Sequence, residues 1–300
     1  MQTKPRPNRK DTPLPADGIV VGVDGSRSAL NAVRWAVAEA RVRGVGLRIV
    51  HAAPYATGSG KLASLRVRSI LGVAYTAARR AAPDVAVSTG SSPTRPADAL
   101  VAAGATAQLL VVGIPATDSP YELLPTSVAL DVVSHAACPV VVVRGRTRSD
   151  SEPVMAGVDD PDADAAVLDL AFAEAELHQC GLVVVQAHAG LREHLPGHAA
   201  HDEQRAARLD AALRTFSARH PQVEVRTSTP VQDATTALLA AAHNARLLVV
   251  GIRQRGAAAR VLFGSHSRAM LRHSPVPVLV VDPDVRSATR APAARSASQT

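Results

Sequence analysis

A segment rich in glycine and arginine near the end of the chain has the composition of a phosphate-binding loop. It contains Gly251, Arg253, Arg255, Gly256, Arg260, Gly264 and Ser265. Glycine lets backbone N–H groups approach an anion closely. A helix that begins after Gly264 would add N–H donors and the positive end of its dipole, and the Ser265 hydroxyl and the arginines would add hydrogen bonds and charge. The segment therefore predicts a site for a nucleotide phosphate.

The chain repeats part of this pattern. The sequence Leu-Leu-Val-Val-Gly occurs at 109–113 and again at 247–251, and the same offset of 138 residues maps Ser127 onto Ser265. Near the start of each copy the pair Val-Asp recurs at an offset of 135, first at Asp24 and then at Asp159. Blocks repeated at nearly constant offsets predict two tandem domains.

The boundaries of these domains follow from changes in composition. We predict a first domain at 17–145, a linker at 146–152 and a second domain at 153–283. Tails at 1–16 and 284–300 flank them. The tails are rich in Pro, Ser, Ala and Arg and poor in large apolar residues, a composition typical of disorder.

The first copy of the loop retains fewer features that bind phosphate. Gly113 and Ser127 are present, but the position that corresponds to Gly264 holds Thr126. The residues between Gly113 and Ser127 include Pro115, Asp118, Pro120, Glu122 and Pro125. Because proline lacks the backbone donor and carboxylates repel an anion, we expect the first copy to be the weaker site.

Short apolar runs alternate with segments of helical periodicity in each copy. The runs lie at 19–23, 47–52, 85–88, 108–113 and 140–143, and at 154–158, 182–187, 223–227, 247–251 and 278–281. This alternation predicts an α/β fold of two tandem doubly wound domains, each a five-stranded parallel sheet of order 3-2-1-4-5 with helices on both faces. Such sheets bind ligands beyond the carboxyl ends of their strands, where the strand order reverses.

In these features the chain resembles the universal stress protein (UspA-like) family in its tandem two-domain form. The opening Gly-Val-Asp-Gly-Ser at 22–26 is similar to the first strand and turn of that family, and His-Ala-Ala-Cys-Pro at 135–139 is similar to its closing segment. The family's ATP signature ends in Gly followed by Ser or Thr. Gly251, Gly264 and Ser265 match it, while Gln254 replaces its middle glycine and Gly256 partly compensates. The resemblance implies ATP as the ligand.

The resemblance also implies roles for residues at the ends of the first two strands. Asp159, and Asp24 in the weaker site, match the aspartate that contacts the nucleoside. Ala187 and Ala52 occupy the position that contacts the adenine ring, although ordinary strand ends would look the same.

Two further acids, Asp160 and Asp162, follow Asp159. Either they are solvated residues of a turn, or Mg²⁺ accompanies ATP and offsets their charge. No metal site built by the protein alone is predicted.

Composition limits the partners and the location. Of the net charge of +7, part lies in the tails, and only 2 % of residues are aromatic, so we do not expect a surface that stacks nucleic-acid bases. The chain contains neither an apolar run long enough to span a membrane nor a signal peptide, so we expect a cytoplasmic protein without a membrane partner. We expect Cys138 and Cys180 to be buried free thiols, with a disulfide or redox pair as the alternative.

The sequence predicts a nucleotide-binding stress-response regulator rather than an enzyme. Adenine nucleotide in the second domain would change the conformation or the affinity for protein partners, which the sequence does not identify. Two alternatives stay open: a ligand-free interaction module of the same fold, and a slow ATPase. The apolar last strands at 140–143 and 278–281 would expose sheet edges, and the family pairs domains through this region. We therefore expect the two halves to pair pseudo-symmetrically, and whole chains to form a homodimer.

Overall fold

A computed structural model describes residues 18–56, 61–115, 125–144, 152–186, 198–229, 234–252 and 265–282. We call residues 18–144 the first half and residues 152–282 the second half. The first half contains β1 (Ile19–Gly22), α1 (Arg27–Arg43), β2 (Leu47–Ala52), α2 (Lys61–Ala81), β3 (Val87–Ser92), α3 (Pro96–Gly104), β4 (Leu109–Ile114), α4 (Pro125–His135) and β5 (Val140–Arg144). The second contains β6 (Val154–Val158), α5 (Ala165–Leu177), β7 (Leu182–Gln186), α6 (His198–Arg219), β8 (Val225–Ser228), α7 (Ala234–Ala242), β9 (Leu247–Gly251), α8 (Ser265–His273) and β10 (Val278–Val281).

All these strands belong to one sheet of order β3-β2-β1-β4-β5-β10-β9-β6-β7-β8. The pairings inside each half are parallel. Each half therefore has the order 3-2-1-4-5, which confirms the predicted doubly wound fold.

The two halves join through their last strands. β5 and β10 pair antiparallel, with Val141 opposite Leu279. The apolar strands that a separate half would expose at its edge thus lie at the centre of the combined sheet, paired with each other as the sequence led us to expect. The remaining edges are β3 and β8, which are rich in Ser and Thr. Polar edge strands are poor templates for pairing with another chain.

The third strand of each half begins two residues later than predicted. Val85 and Val223 are buried, but their N–H groups bond to Ala82 and His220 in the turn that precedes each strand. Because these valines pack into the core from a turn, apolar character alone did not distinguish them from strand residues.

Helices cover both faces of the sheet, and each face has a core that runs through both halves. Helices α1, α2, α5 and α6 bury side chains such as Val33, Ala74, Phe172 and Leu213 on one face. The other face is covered by α3, α4, α7 and α8. Val, Ala and Leu dominate both cores. Among the described residues, no helix has the length and apolarity needed to cross the membrane.

A buried ionic cluster joins the halves at the ends of α1 and α5. It consists of Glu39 and Arg43 from the first half and Glu174 and His178, which follow at the repeat offset of 135. Arg43 Nε donates to Glu39 Oε1 at 2.7 Å, and Arg43 Nη2 donates to Glu174 Oε1. His178 Nε2 lies 3.1 Å from Glu39 Oε2. All four side chains are less than one-tenth exposed.

The charges of this cluster are strongly coupled. Burial alone would raise the pKa of Glu39, but His178 and Arg43 hold that pKa below its usual value. Burial, aided by the charge of Glu39, raises the pKa of Glu174 despite its contact with Arg43. Ligating atoms of Glu39, Glu174 and His178 lie within 4.8 Å of one another. Arg43 already supplies the cation between the carboxylates, however, so we interpret the cluster as an ion-pair network between the halves.

Both cysteines are free thiols. Burial raises the pKa of Cys138 to about 11 and also raises the pKa of Cys180. Because the thiolate is the reactive form, a raised pKa lowers the reactivity of both thiols. Cys138 is buried as predicted, whereas Cys180 is only half-buried, and the two pack on opposite faces of the sheet, so no disulfide joins them.

Candidate functional site

The strand order of the second half reverses between β6 and β9, where doubly wound sheets form a crevice at the carboxyl ends of the strands. The two strands are adjacent, with Gly157 opposite Val250. Asp159 follows β6 directly, and Gly251 is the last residue of β9. The structure thus brings together two of the predicted site residues. A third, Ser265, is the first residue of α8, which agrees with the predicted helix start.

The remaining predicted residues of this site, Ala187, Arg253, Gly256 and Gly264, lie outside the described residues. In the first half, Asp24 follows β1, and Ala52 ends β2. Gly113 lies near the end of β4, and Ser127 lies in the first turn of α4. The first-half residues therefore occupy the corresponding edge of the sheet.

The crevice of the second half holds an internal anion. Asp164, just before α5, is buried, and its Oδ2 accepts hydrogen bonds from the backbone N–H groups of Asp159 at 2.7 Å and Asp160 at 3.1 Å. Its other oxygen would lie 3.4 Å from a Cβ added at Gly251. The carboxylate therefore spans the gap between β6 and β9. The corresponding residue of the first half, 135 positions earlier, is Ala29.

Two arginines of α6 pair with the acids that follow β6. Arg205 Nη2 donates to the carbonyl oxygen of Asp159 at 2.7 Å and also to its Oδ1. Arg208 Nη2 donates to Asp160 Oδ1 at 3.0 Å and to Asp162 Oδ2. The acids are thus partly neutralised by the protein itself. Neither arginine is predictable from the sequence, because no local pattern links them to a turn more than forty residues earlier.

The same turn also orders itself through its backbone. Burial would raise the pKa of Asp160, but N–H groups of Asp162 and Ala163 and the nearby Arg208 lower it. Asp160 is therefore an ionised residue that stabilises the turn, in agreement with one of the two predicted interpretations of these acids.

The first-half turn is built differently. Asp24 Oδ1 accepts a hydrogen bond from the N–H of Ser26 at 2.8 Å, and Ser26 Oγ accepts one from the N–H of Ala29 at 3.1 Å. Ser26 is therefore the N-cap of α1. Gly25 has a φ of 93°, which favours glycine. This turn uses its polar groups to start a helix.

The matching glycines at the ends of β4 and β9 have different surroundings. A Cβ added at Gly113 would lie 2.3 Å from the carbonyl oxygen of Ser28, in the first turn of α1. A Cβ added at Gly251 would lie 3.1 Å from Val167 Cγ2, which is the end of a side chain. Gly113 is therefore required by the close approach of α1. The sequence assigned it only to a phosphate loop.

The carboxyl-terminal parts of β2 and β7 show a related difference. His51 is buried, its Nδ1 lies 2.7 Å from the carbonyl oxygen of Val23, and its Nε2 lies 2.8 Å from the Tyr55 hydroxyl. The residue 135 positions later is Gln186, which is also buried and pairs with Val158 in the sheet. Its Nε2 has no hydrogen-bond partner within the described part of the chain. An alignment of the two copies, in which Gln186 corresponds to His51, would have identified this position from the sequence.

The fold and this crevice define a class of protein: a tandem doubly wound α/β chain whose halves pair through their last strands. Residues 16–144 and 151–282 each match the universal stress protein family. Since the two matches cover most of the chain, it belongs to that family.

Similar proteins extend over nearly the whole chain. A universal stress protein of Mycobacterium tuberculosis is 29 % identical over 283 residues, covering 88 % of this chain and 95 % of the relative. One of Mycobacterium bovis is 28 % identical over 288 residues, covering 89 % and 98 %. The crystal structure of a universal stress protein from Archaeoglobus fulgidus has a TM-score of 0.69 at 16 % identity and covers 89 % of this chain and 99 % of its own. That likeness shows the fold.

Proposed function

We propose that this protein is a stress-response regulator that binds an adenine nucleotide, ATP, in its second half. Asp159 would contact the nucleoside beside Ala187, and Gly251, Arg253, Gly256, Gly264 and Ser265 would hold the phosphates. Binding would change the conformation of the second half or its affinity for protein partners, and the protein would not act as an enzyme. The first half, through Asp24, Ala52, Gly113 and Ser127, would bind more weakly.

One observation carries the proposal: backbone N–H groups at the end of β6 already bind a carboxylate in the crevice next to Gly251. Donors that converge on one anion at a strand end are suited to bind another. Gln186 supports the proposal, because a buried amide without a partner costs about 1–3 kcal/mol unless a ligand or water accepts its hydrogen bond.

Calorimetric titration of the purified chain with ATP, with and without Mg²⁺, tests this proposal. We expect one site per chain with a Kd below about 1 mM, and weaker binding by the first half. Gly264→Glu should abolish binding, because a carboxylate would replace the glycine that the phosphates approach. Thr126→Glu changes the corresponding position of the first half and should leave the affinity unchanged. Absence of binding to the wild-type chain, or full binding by the Gly264→Glu variant, would contradict the proposal.

Replacing Asp164 tests the role of the internal anion. We expect Asp164→Asn to bind ATP about tenfold more tightly, because it removes a negative charge from the crevice and keeps an oxygen that can accept a backbone hydrogen bond. The same titration measures the change. Asp169→Asn, which removes a charge from the exposed side of α5, is the control. Equal or weaker binding by Asp164→Asn would show that this carboxylate does not compete with the nucleotide.

A ligand-free interaction module is the second candidate, and a specific observation favours it. Asp164 and Arg205 already occupy the backbone donors and the aspartate that a nucleotide would use. If the protein is such a module, the wild-type chain and the Asp164→Asn variant would both fail to bind nucleotide.

A further inference from the structure

A groove lies between helices α1 and α2 on the outer surface of the first half. It has a volume of about 850 Å³, and its lining includes Ser69, Gly72, Val73 and the three arginines Arg34, Arg68 and Arg80. Its floor consists of small and apolar side chains. A Cβ added at Gly72 would contact no atom within 4 Å, so the groove is open at that point.

The exposed side of α2 continues the apolar floor along the helix. Leu62 is 82 % exposed, Leu65 is 54 % exposed and Val73 is 53 % exposed. These residues and Ser69 follow one another at helical spacings of three and four, so they share one face. The opposite face, through Ala74 and Ala78, packs into the core. Helix α2 therefore presents an apolar stripe to solvent in addition to the one that it buries.

The charged side chains that α1 and α2 contribute to the described surface around this stripe are all basic. Helix α2 contains no carboxylate, and its basic residues are Lys61, Arg66, Arg68, Arg79 and Arg80. The only carboxylate of α1 is Glu39, which is buried in the ionic cluster between the halves. Arg34 of α1 faces the groove opposite Arg68 and Arg80 of α2. The groove thus combines an apolar floor with a basic rim.

The corresponding helix of the second half, α6, differs both in the apolar character and in the charge of its exposed side. Its exposed side carries Glu203 and Asp210 together with arginines, and these alternate with alanines. The basic apolar surface is therefore a property of the first half and not of the repeated fold. The groove borders the turn after β1, because Leu30, Ser69 and Val73 also line a small cavity that reaches Val23 and Gly25.

The shape of the surface indicates the kind of partner. A helix binds in a groove through apolar residues spaced at three and four, while charges on its flanks meet complementary charges on the rim. A bilayer takes up the apolar face of an amphipathic helix, whereas here Ser69, Gly72 and Thr76 line a recess between α1 and α2 that a second helix can fill. We propose that this groove binds an acidic amphipathic helix of a partner protein. The apolar side of that helix would cover Val73 and Gly72, and its carboxylates would pair with Arg34, Arg68 and Arg80.

Fluorescence anisotropy with a labelled synthetic peptide tests the proposal on the full chain. The probe is a helical peptide with a leucine stripe flanked by glutamates, and the same peptide with lysines in place of the glutamates is its control. We expect the acidic peptide to bind saturably and more weakly as salt is added, and the lysine peptide not to bind. Arg68→Glu with Arg80→Glu should weaken binding at least about tenfold. Arg214→Glu, an exposed charge reversal on α6, should not change it.

A second variant separates the groove from charge alone. Gly72→Leu adds a side chain to the groove at a point where its Cβ would meet no atom within 4 Å, and leucine favours a helix more than glycine does. We expect this variant to be at least as stable to heat as the wild type and to bind the acidic peptide at least about tenfold more weakly. Unchanged binding by Gly72→Leu would overturn the proposal, as would failure of the acidic peptide to bind. Binding to phosphatidylglycerol vesicles without binding to the peptide would instead assign the surface to a membrane.

Discussion

Arg43→Met is expected to lower the free energy of unfolding by about 3–5 kcal/mol. The guanidinium contacts both Glu39 and Glu174, and these two carboxylates come from different halves. Methionine retains much of the volume but leaves two buried carboxylates without their shared cation. Urea unfolding, followed by circular dichroism, measures the loss. A loss below about 1 kcal/mol would show that the cluster does not stabilise the joined halves.

Two further variants of the cluster have opposite pH dependence. The pKa of Glu174 is raised above its ordinary value of 4.5. The stabilisation that comes from its protonation is therefore complete below pH 4.5 and is lost as the pH rises through the raised pKa of the folded state. Glu174→Gln keeps this position neutral and should become more stable relative to the wild type as pH rises. The pKa of Glu39 is lowered, so its contribution is present above 4.5 and is lost as pH falls. Glu39→Gln should therefore be less stable than the wild type at neutral pH, and the difference should disappear in acid.

Gly113→Ala is expected to destabilise the chain by about 3 kcal/mol or more. The added methyl group would lie 2.3 Å from the Ser28 carbonyl oxygen and 2.9 Å from the Ala29 nitrogen, so α1 would have to move away from the sheet. The first turn of α1 cannot yield as the end of a side chain can. Thermal unfolding measures the effect, and an unchanged melting temperature would contradict the role of close packing at Gly113.

Gly251→Ala is the matched control. Its added methyl group would lie 3.1 Å from Val167 Cγ2, which can move by a few tenths of an ångström, and alanine favours a strand over glycine. We expect a change below about 1 kcal/mol. Any loss of nucleotide binding in this folded variant would then report on the site itself, whereas Gly113→Ala would affect the fold first.

The sequence predicts the fold well because its signals are local. The apolar runs become strands, Ser26 caps α1, and the last strands pair because both are too apolar to form an edge. Repetition adds further information: the offset of 135 residues relates Glu39 to Glu174, Arg43 to His178 and His51 to Gln186.

The contacts inside the candidate site are less predictable. Asp164 has the sequence context of an ordinary helix start, yet its carboxylate bonds backward to the end of β6. Arg205 and Arg208 reach the turn from another helix, and only the packing of α6 brings them there. The basic surface of α1 and α2 is diluted in the net charge of the chain, which hides an uneven distribution over the two halves.

The antiparallel pairing of β5 with β10 has a consequence for how the two halves can evolve. Because both strands belong to one chain, the pairing is intramolecular and does not depend on protein concentration. Each molecule therefore contains one copy of each half in a fixed ratio, and a half cannot exchange its partner for another copy of itself. A substitution that impairs the ligand site of one half therefore leaves the other half of the same molecule unaltered. This arrangement allows one half to specialise as a docking surface while the other keeps a crevice.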